Sequence, residues 1–380
     1  MTTPPAARAL LERAPSPGAW ADRTADRIVA SVTRRCPPGT SAGARLRGAL
    51  RLPWHTLVAW LLFSFFLLDA INAQDRRGYP EAWLAIIAIP VGLLLLRRPV
   101  LLGLVMAAAG IYLRALYLGY PESCDQMAVS RAALGVITSG GNPWGFGYAE
   151  SVPPGAPFPY APLGAFTSLL GVPGEVAAFA GILVLLAWQR ALLTLAFLAA
   201  WVSWIELGIC GINDQMPALL LLGGLLLLEK RRRSGAVLVA LSAGIKPYAF
   251  AWVPPLMGFG GLATSLVLLA VTAVCWLPAL WWGPSTYLTS IELARGVHAK
   301  PENTLNMPAL RILALPVAIA GLFVRSWSTA VLTGALIFMI VLFLDFWASF
   351  GYWLVVLPPV GIVLERALRR FGSRLRAAMG

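Results

Sequence analysis

Three residues stand out by type and setting as able to do chemistry: Asp125, Asp214 and Lys246. Asp125 opens Asp-Gln-Met-Ala-Val-Ser-Arg, where apolar residues at 127, 129, 133, 134 and 137 recur at helical spacing. A carboxylate at such a helix start has two roles open to it. It caps unpaired backbone N–H groups, or it serves as a general base that takes a proton from an alcohol. Asp214, in Gly-Ile-Asn-Asp-Gln-Met, has the same two-sided reading. Pro217 in the following turn favours a cap; the alternative is a polar contact to substrate or to the Asp125 loop. Lys246 sits between Ala-Gly-Ile and Pro-Tyr-Ala-Phe in an apolar segment. An ammonium there costs roughly 2.5–3.5 kcal/mol on insertion scales, so it needs a cavity, a partner or a route to the interface. Either it binds a phosphate, helped by backbone groups freed at Pro247, or it snorkels or pairs with an acid.

Around these lie weaker candidates. The stretch 122–164 is polar, aromatic and rich in Pro and Gly in an otherwise oily chain, with Asn142, Trp144, Phe146, Tyr148, Phe158 and Tyr160. Its rings suit an interfacial belt or stacking on a sugar. Residues 283–306 carry Tyr287, Glu292, Arg295, His298, Lys300, Glu302 and Asn303, read either as a solvated loop or as contacts to phosphate or sugar. Two histidines without Cys/His spacing do not make a zinc site, and no cofactor is expected. Cys124 and Cys210 each lie a few residues from a singled-out aspartate. They are two free thiols or a disulfide joining the two aspartate segments, a bond suited to an oxidising compartment.

The elements that must position these groups are membrane helices. The chain has 380 residues, 58% hydrophobic and 12% charged, about half the charged share of a soluble domain. Apolar runs of spanning length recur, at about 55–72, 82–96, 99–118, 174–188, 191–207, 216–229, 262–282, 308–324, 327–347 and 349–364. The fold class expected is an all-α polytopic membrane protein of about 10–12 transmembrane helices. The net charge of +13 gathers in Arg97-Arg98, Lys230–Arg233 and Arg366–Arg376. That is the positive-inside pattern, and no nucleic-acid signature accompanies it. Residues 1–50 lack the apolar stretch of a signal peptide. They are expected to be a largely disordered cytoplasmic tail, with a helical stretch at the membrane surface. The transmembrane domain then covers 51–364, and 365–380 forms a basic cytoplasmic interfacial helix.

Counting spans from a cytoplasmic N-terminus in the plasma membrane puts the loops 119–160, 208–215 and 283–306 outside. The count closes with the C-terminus inside only if 235–258 forms a hairpin broken at Lys246-Pro247, which enters and leaves on the inner side. Residues 161–171 are too short to span and are expected to be a re-entrant or interfacial helix.

Taken in order, Asp125-Gln-Met-Ala-Val, Gly140-Gly-Asn-Pro-Trp-Gly145 and Pro159-Tyr-Ala-Pro-Leu163 resemble the first outer loop of GT-C membrane glycosyltransferases. The likeness is closest to the GT87 polyprenyl-phosphate-mannose-dependent mannosyltransferases of actinobacteria. Gly211-Ile-Asn-Asp-Gln215, Ala243-Gly-Ile-Lys-Pro-Tyr248, Glu302-Asn-Thr-Leu-Asn306 and Ser349-Phe-Gly-Tyr352 resemble later motifs of that family. The resemblance covers roughly residues 115–360. It implies a GT-C-like bundle, an aspartate base at Asp125, and inverting transfer from a polyprenyl-phosphate-sugar donor to a glycolipid or glycan acceptor. On the residues' own chemistry, Lys246, with Arg295 or His298, is expected to hold the donor phosphate, and Asn142, Trp144, Tyr160, Asp214, Tyr248 and Asn303 to contact the substrate. In the family the loop follows the first span. Here Asp125 follows the third, which leaves Asp69 and Asp75 as competitors. Membrane lipids are the remaining partner expected. The alternative function is a transporter or flippase of a lipid-linked or small polar solute. The broken Lys246 segment favours it, and the lack of a matched interrupted helix in a second half counts against it.

Overall fold

A computed structural model describes residues 17–36, 40–41, 53–75, 82–116, 118, 124–152, 154–297, 304–345 and 350–379. The described residues are about 81% helical, and the strands among them form one two-residue ribbon. The helices are α1 (Pro17–Arg35), α2 (Trp54–Asp75), α3 (Ala82–Leu94), α4 (Pro99–Ala115), α5 (Gln126–Thr138), α6 (Gly171–Trp188), α7 (Leu192–Ala200), α8 (Val202–Leu207), α9 (Gln215–Leu228), α10 (Arg232–Ile245), α11 (Val253–Trp282), α12 (Pro284–Val297), α13 (Ala314–Gly321), α14 (Trp327–Phe343) and α15 (Trp353–Met379). Four stretches are long and apolar enough to cross a membrane: Trp54–Ala73, Gly171–Trp188, Pro247–Trp282 and Phe350–Ala378. Shorter apolar helices accompany them: Ala82–Leu94, Pro99–Ala115, Gln215–Leu228, Pro308–Gly321 and Trp327–Phe343. This is an all-α membrane protein.

The chain divides into two compact units, Met1–Trp54 with Arg366–Gly380, and His55–Glu365. In the first, α1 supplies Asp26, which meets Arg374 at 3.3 Å. The basic segment after 365 is not a separate helix. It continues α15, since neither Pro358 nor Pro359 stops that helix.

Within the second unit the helices run between two ends. At one end the buried Glu365 carboxylate accepts from Leu193 N (3.1 Å), Thr194 N (2.9 Å) and Thr194 Oγ1 (2.8 Å), and lies 2.6 Å from His55 Nε2. It thereby caps α7 and ties the first transmembrane helix to the last. The other end carries the aspartates.

Two breaks decide the geometry. Pro247 disfavours helix at Lys246, whose backbone is extended (φ −134°, ψ 130°), so α10 stops at Ile245. The chain returns through a 3₁₀ turn, Pro247–Trp252, into α11. Arg232 at the foot of α10 donates to Gly260 O (3.4 Å), so the two feet of the hairpin meet. Gly261 then reverses the chain with φ 74°, a conformation L side chains rarely adopt. The expected hairpin is present, and the rest of α11 packs back along it, with Trp276 Nε1 donating to Ala243 O (3.2 Å).

The second break departs from expectation. The run 191–207 is not one helix but α7 and α8, split at Trp201 (φ −67°, ψ 127°) with no Pro or Gly there. Arg114, fully buried, makes the split tolerable. Its guanidinium donates to the carbonyls of Gly110 (2.7 Å), Leu198 (2.8 Å), Ala199 (3.0 Å) and Trp204 (3.1 Å), and lies over the Phe179 ring. Carbonyls left unpaired in that setting cost about 1–3 kcal/mol each.

Candidate functional site

The Asp125 segment is fastened from both sides. Cys124 and Cys210 form a disulfide, with Cα atoms 5.1 Å apart. Cys124 N donates to Cys210 O (2.7 Å), Met127 N to Gly211 O (2.9 Å), and Asn213 Nδ2 to Ser130 Oγ (3.0 Å). The helix carrying Asp125 is therefore stitched to the loop carrying Asp214. Asp125 occupies the cap position of α5, but its backbone is already helical (φ −85°, ψ −11°) and its side chain makes no cap bond. One carboxylate oxygen instead accepts from Val152 N (2.7 Å), 27 residues on. Among the described residues the other oxygen takes no hydrogen bond. The capping role is thus excluded for this side chain.

A disulfide closing 86 residues contributes roughly 2–4 kcal/mol. Cys124→Ser is expected to lower the unfolding temperature in detergent by several degrees. Reductant should do the same to the wild type and add nothing in the variant. Two alkylatable thiols in the native protein at these positions would overturn the pairing.

Asp214 does not cap its helix either. Glu175, almost fully buried on α6, does so from outside, accepting from Gln215 N (2.9 Å) and Met216 N (3.2 Å). Asp214 is left to pair with Lys246 at 2.5 Å, with side chains 2% and 3% exposed. Gly351 makes room, since a Cβ there would run into the Asp214 carboxylate. The ammonium also lies over the rings of Tyr160 (4.6 Å), Tyr352 (5.8 Å) and Tyr248 (5.9 Å). Of the readings that the sequence left open for Lys246, the structure shows the pair with an acid, while the side chain also lines the adjoining cavity.

A cavity of about 360 Å³ opens above this cluster. Its lining includes Asp125, Lys246, Tyr160, Tyr287, Arg311 and Asp345, with Gln126, Tyr248 and Tyr352 among the others. Arg311 donates to Asp345 (2.6 Å), and Arg295 Nη2 lies 3.7 Å from the other Asp345 oxygen. Burial holds the Tyr287 phenol above its ordinary pKa. Burial first, then Tyr352, Asp214 and Asp125, does the same for Tyr160. Both rings are neutral donors at physiological pH, not bases.

Of the residues singled out in the sequence, Asp125, Lys246, Tyr160 and Tyr248 meet at this cavity, with Asp214 behind Lys246. Arg295 is half exposed and reaches the cavity through Asp345. Asn142 and Trp144 do not line the cavity. The Asn142 amide is used up on Trp282 O (2.8 Å), Thr286 Oγ1 (3.0 Å) and Trp144 N (3.0 Å). Trp144 is buried among Trp276, Trp282 and Tyr287, and donates to Tyr160 O. They anchor the loop to α12. Asp69 is exposed on α2 and off the cavity. His298 and Asn303 lie outside the described residues, as does the Asp75 side chain.

Arg311, Asp345 and Glu175 join these residues without having been singled out in the sequence. Each is a charge within an expected apolar run (308–324, 327–347 and 174–188), as Lys246 is within an apolar segment. No protein-family model, curated protein or solved structure matches this chain.

Proposed function

We propose that this chain is a membrane glycosyltransferase. It moves a sugar, with mannose the first candidate, from a polyprenyl-phosphate donor to a lipid-linked or cell-envelope glycan acceptor. The observation that carries the reading is the Asp125 carboxylate. It faces a cavity, is spared from capping, and is held by one neutral amide, in a cavity that also presents Arg311. Two carboxylates line that cavity. Asp345 is engaged by arginine, so Asp125 is the one suited to act as a base.

In the proposed reaction Asp125 takes the acceptor hydroxyl proton as its oxygen attacks the anomeric carbon. The bond from that carbon to the phosphate oxygen breaks, and the polyprenyl phosphate leaves with the bonding pair. Arg311, rather than Lys246, faces the charge that grows on the phosphate. On this reading the cavity end lies outside the plasma membrane and both termini lie in the cytoplasm. The Cys124–Cys210 bond fits an oxidising exterior.

Purified protein, radiolabelled polyprenyl-phosphate-mannose and a crude envelope lipid extract test the reading. A new labelled glycolipid is the expected result. Movement of the donor across liposomes without a new bond would favour a transporter. No product from mannose, glucose or arabinofuranose donors would sink the enzyme reading.

A further inference from the structure

Asp345 and Arg311 form a charged pair in the cavity wall that the base chemistry at Asp125 does not use. Asp345 is 8% exposed, yet its carboxylate is only half satisfied. Oδ2 accepts from Arg311 at 2.6 Å, while Oδ1 has no hydrogen-bond partner among the described residues and sits 3.7 Å from Arg295. The charges around the cavity sharpen the point. Asp125 and Asp345 line it against Lys246 and Arg311, and Asp214 adds a third carboxylate directly behind Lys246. With Arg295 beside Asp345 these are three carboxylates and three cations, so among the described residues no positive charge is in surplus, and a phosphate gains a strong partner here by taking Arg311 over from Asp345. The arginine fork suits both carboxylate and phosphate oxygens, so the exchange preserves its geometry.

The geometry points to Asp345 as a placeholder for the donor phosphate: it holds Arg311 in the empty site, gives it up to the entering phosphate, and reclaims it as the product leaves. This rests on the glycosyltransferase reading. Transfer turns a phosphodiester of charge about −1 into a monoester of about −1.5 to −2. The product therefore grips Arg311 more strongly than the donor does. A competing carboxylate beside that arginine offsets the difference and speeds release. Asp345 is a positioning residue in this scheme, acting through Arg311.

The consequence runs against ordinary intuition: removing a charged residue from the site should tighten binding. Asp345→Asn keeps the shape and an oxygen for Arg311. It is expected to lower the Kd for radiolabelled polyprenyl phosphate by about ten-fold. In turnover, KM and kcat should both fall, with stronger inhibition by added polyprenyl phosphate. Arg295→Gln leaves Asp345 more firmly on Arg311 and should weaken binding. It serves as the second variant if Asp345→Asn does not fold. Inorganic phosphate, as a competitor, separates a bare-phosphate site from one that needs the lipid. Displacement at low millimolar concentration would overturn the lipid-phosphate assignment.

An unchanged or raised Kd in folded Asp345→Asn overturns the placeholder, as does tighter binding in Arg295→Gln. So does a wild type that binds no polyprenyl phosphate. Tightened binding in Asp345→Asn without transfer from any donor would instead sink the enzyme reading and leave the placeholder standing. Lost turnover in Asp345→Asn at unchanged Kd would make Asp345 a direct participant and end the proposal.

Discussion

Replacing Asp125 with Asn is expected to lower kcat by roughly 10²–10⁴-fold, the range a positioned general base supplies. Polyprenyl phosphate binding should be nearly unchanged. The substitution is informative because Asn retains an oxygen for Val152 N, which the carboxylate now holds at 2.7 Å. The loop, the disulfide and α5 should therefore stay in place. The unfolding temperature should move little, since the side chain caps nothing and Val152 N is its one hydrogen-bond partner among the described residues. Single-turnover transfer with saturating donor isolates the chemical step. Turnover within a few-fold of wild type would remove Asp125 from the chemistry.

The second large effect concerns folding. Lys246→Met strands the Asp214 carboxylate at 2% exposure. Breaking a buried pair by removing one partner costs about 3–5 kcal/mol. Asp214→Asn with Lys246→Met removes both charges together and should recover most of that loss, because neutral packing often replaces a buried pair at little cost. The double variant should then bind polyprenyl phosphate within a few-fold of wild type. A double variant that is stable but binds the phosphate ten-fold or more weakly would return Lys246 to phosphate binding. Thermal unfolding in detergent and equilibrium binding, read on the same preparations, separate the two cases.

Much of the architecture was legible along the chain. Apolar run lengths mark the four helices long enough to cross a membrane, Trp54–Ala73, Gly171–Trp188, Pro247–Trp282 and Phe350–Ala378. The spacing of residues 127, 129 and 133 marks α5, where all three are buried. Lys246-Pro247 marks the hairpin tip, because proline's effect on its neighbour is local. The split at Trp201 was not legible. Nothing in residues 195–205 breaks a helix, and the stabilising group is Arg114, more than 80 residues away. The roles of the aspartates were also ambiguous, since a cap and a functional carboxylate occupy the same place in a sequence. Asp125 and Asp214 stand at helix starts and cap neither.

What the residues determined by themselves is the class of the protein and the break at Lys246-Pro247. Burial of apolar runs and the backbone limits of proline and glycine act over a few positions. Which charge answers which was decided only by tertiary packing. Lys246 meets Asp214 from 32 residues away, Arg311 meets Asp345 from 34, and Glu175 caps a helix that begins 40 residues later. Such pairings depend on how neighbouring helices align along their axes and rotate about them. A buried charge requires a partner, but its local sequence does not say which one. Here packing gave Lys246 to Asp214, freed Asp125 for the cavity, and set Arg311 and Asp345 beside it.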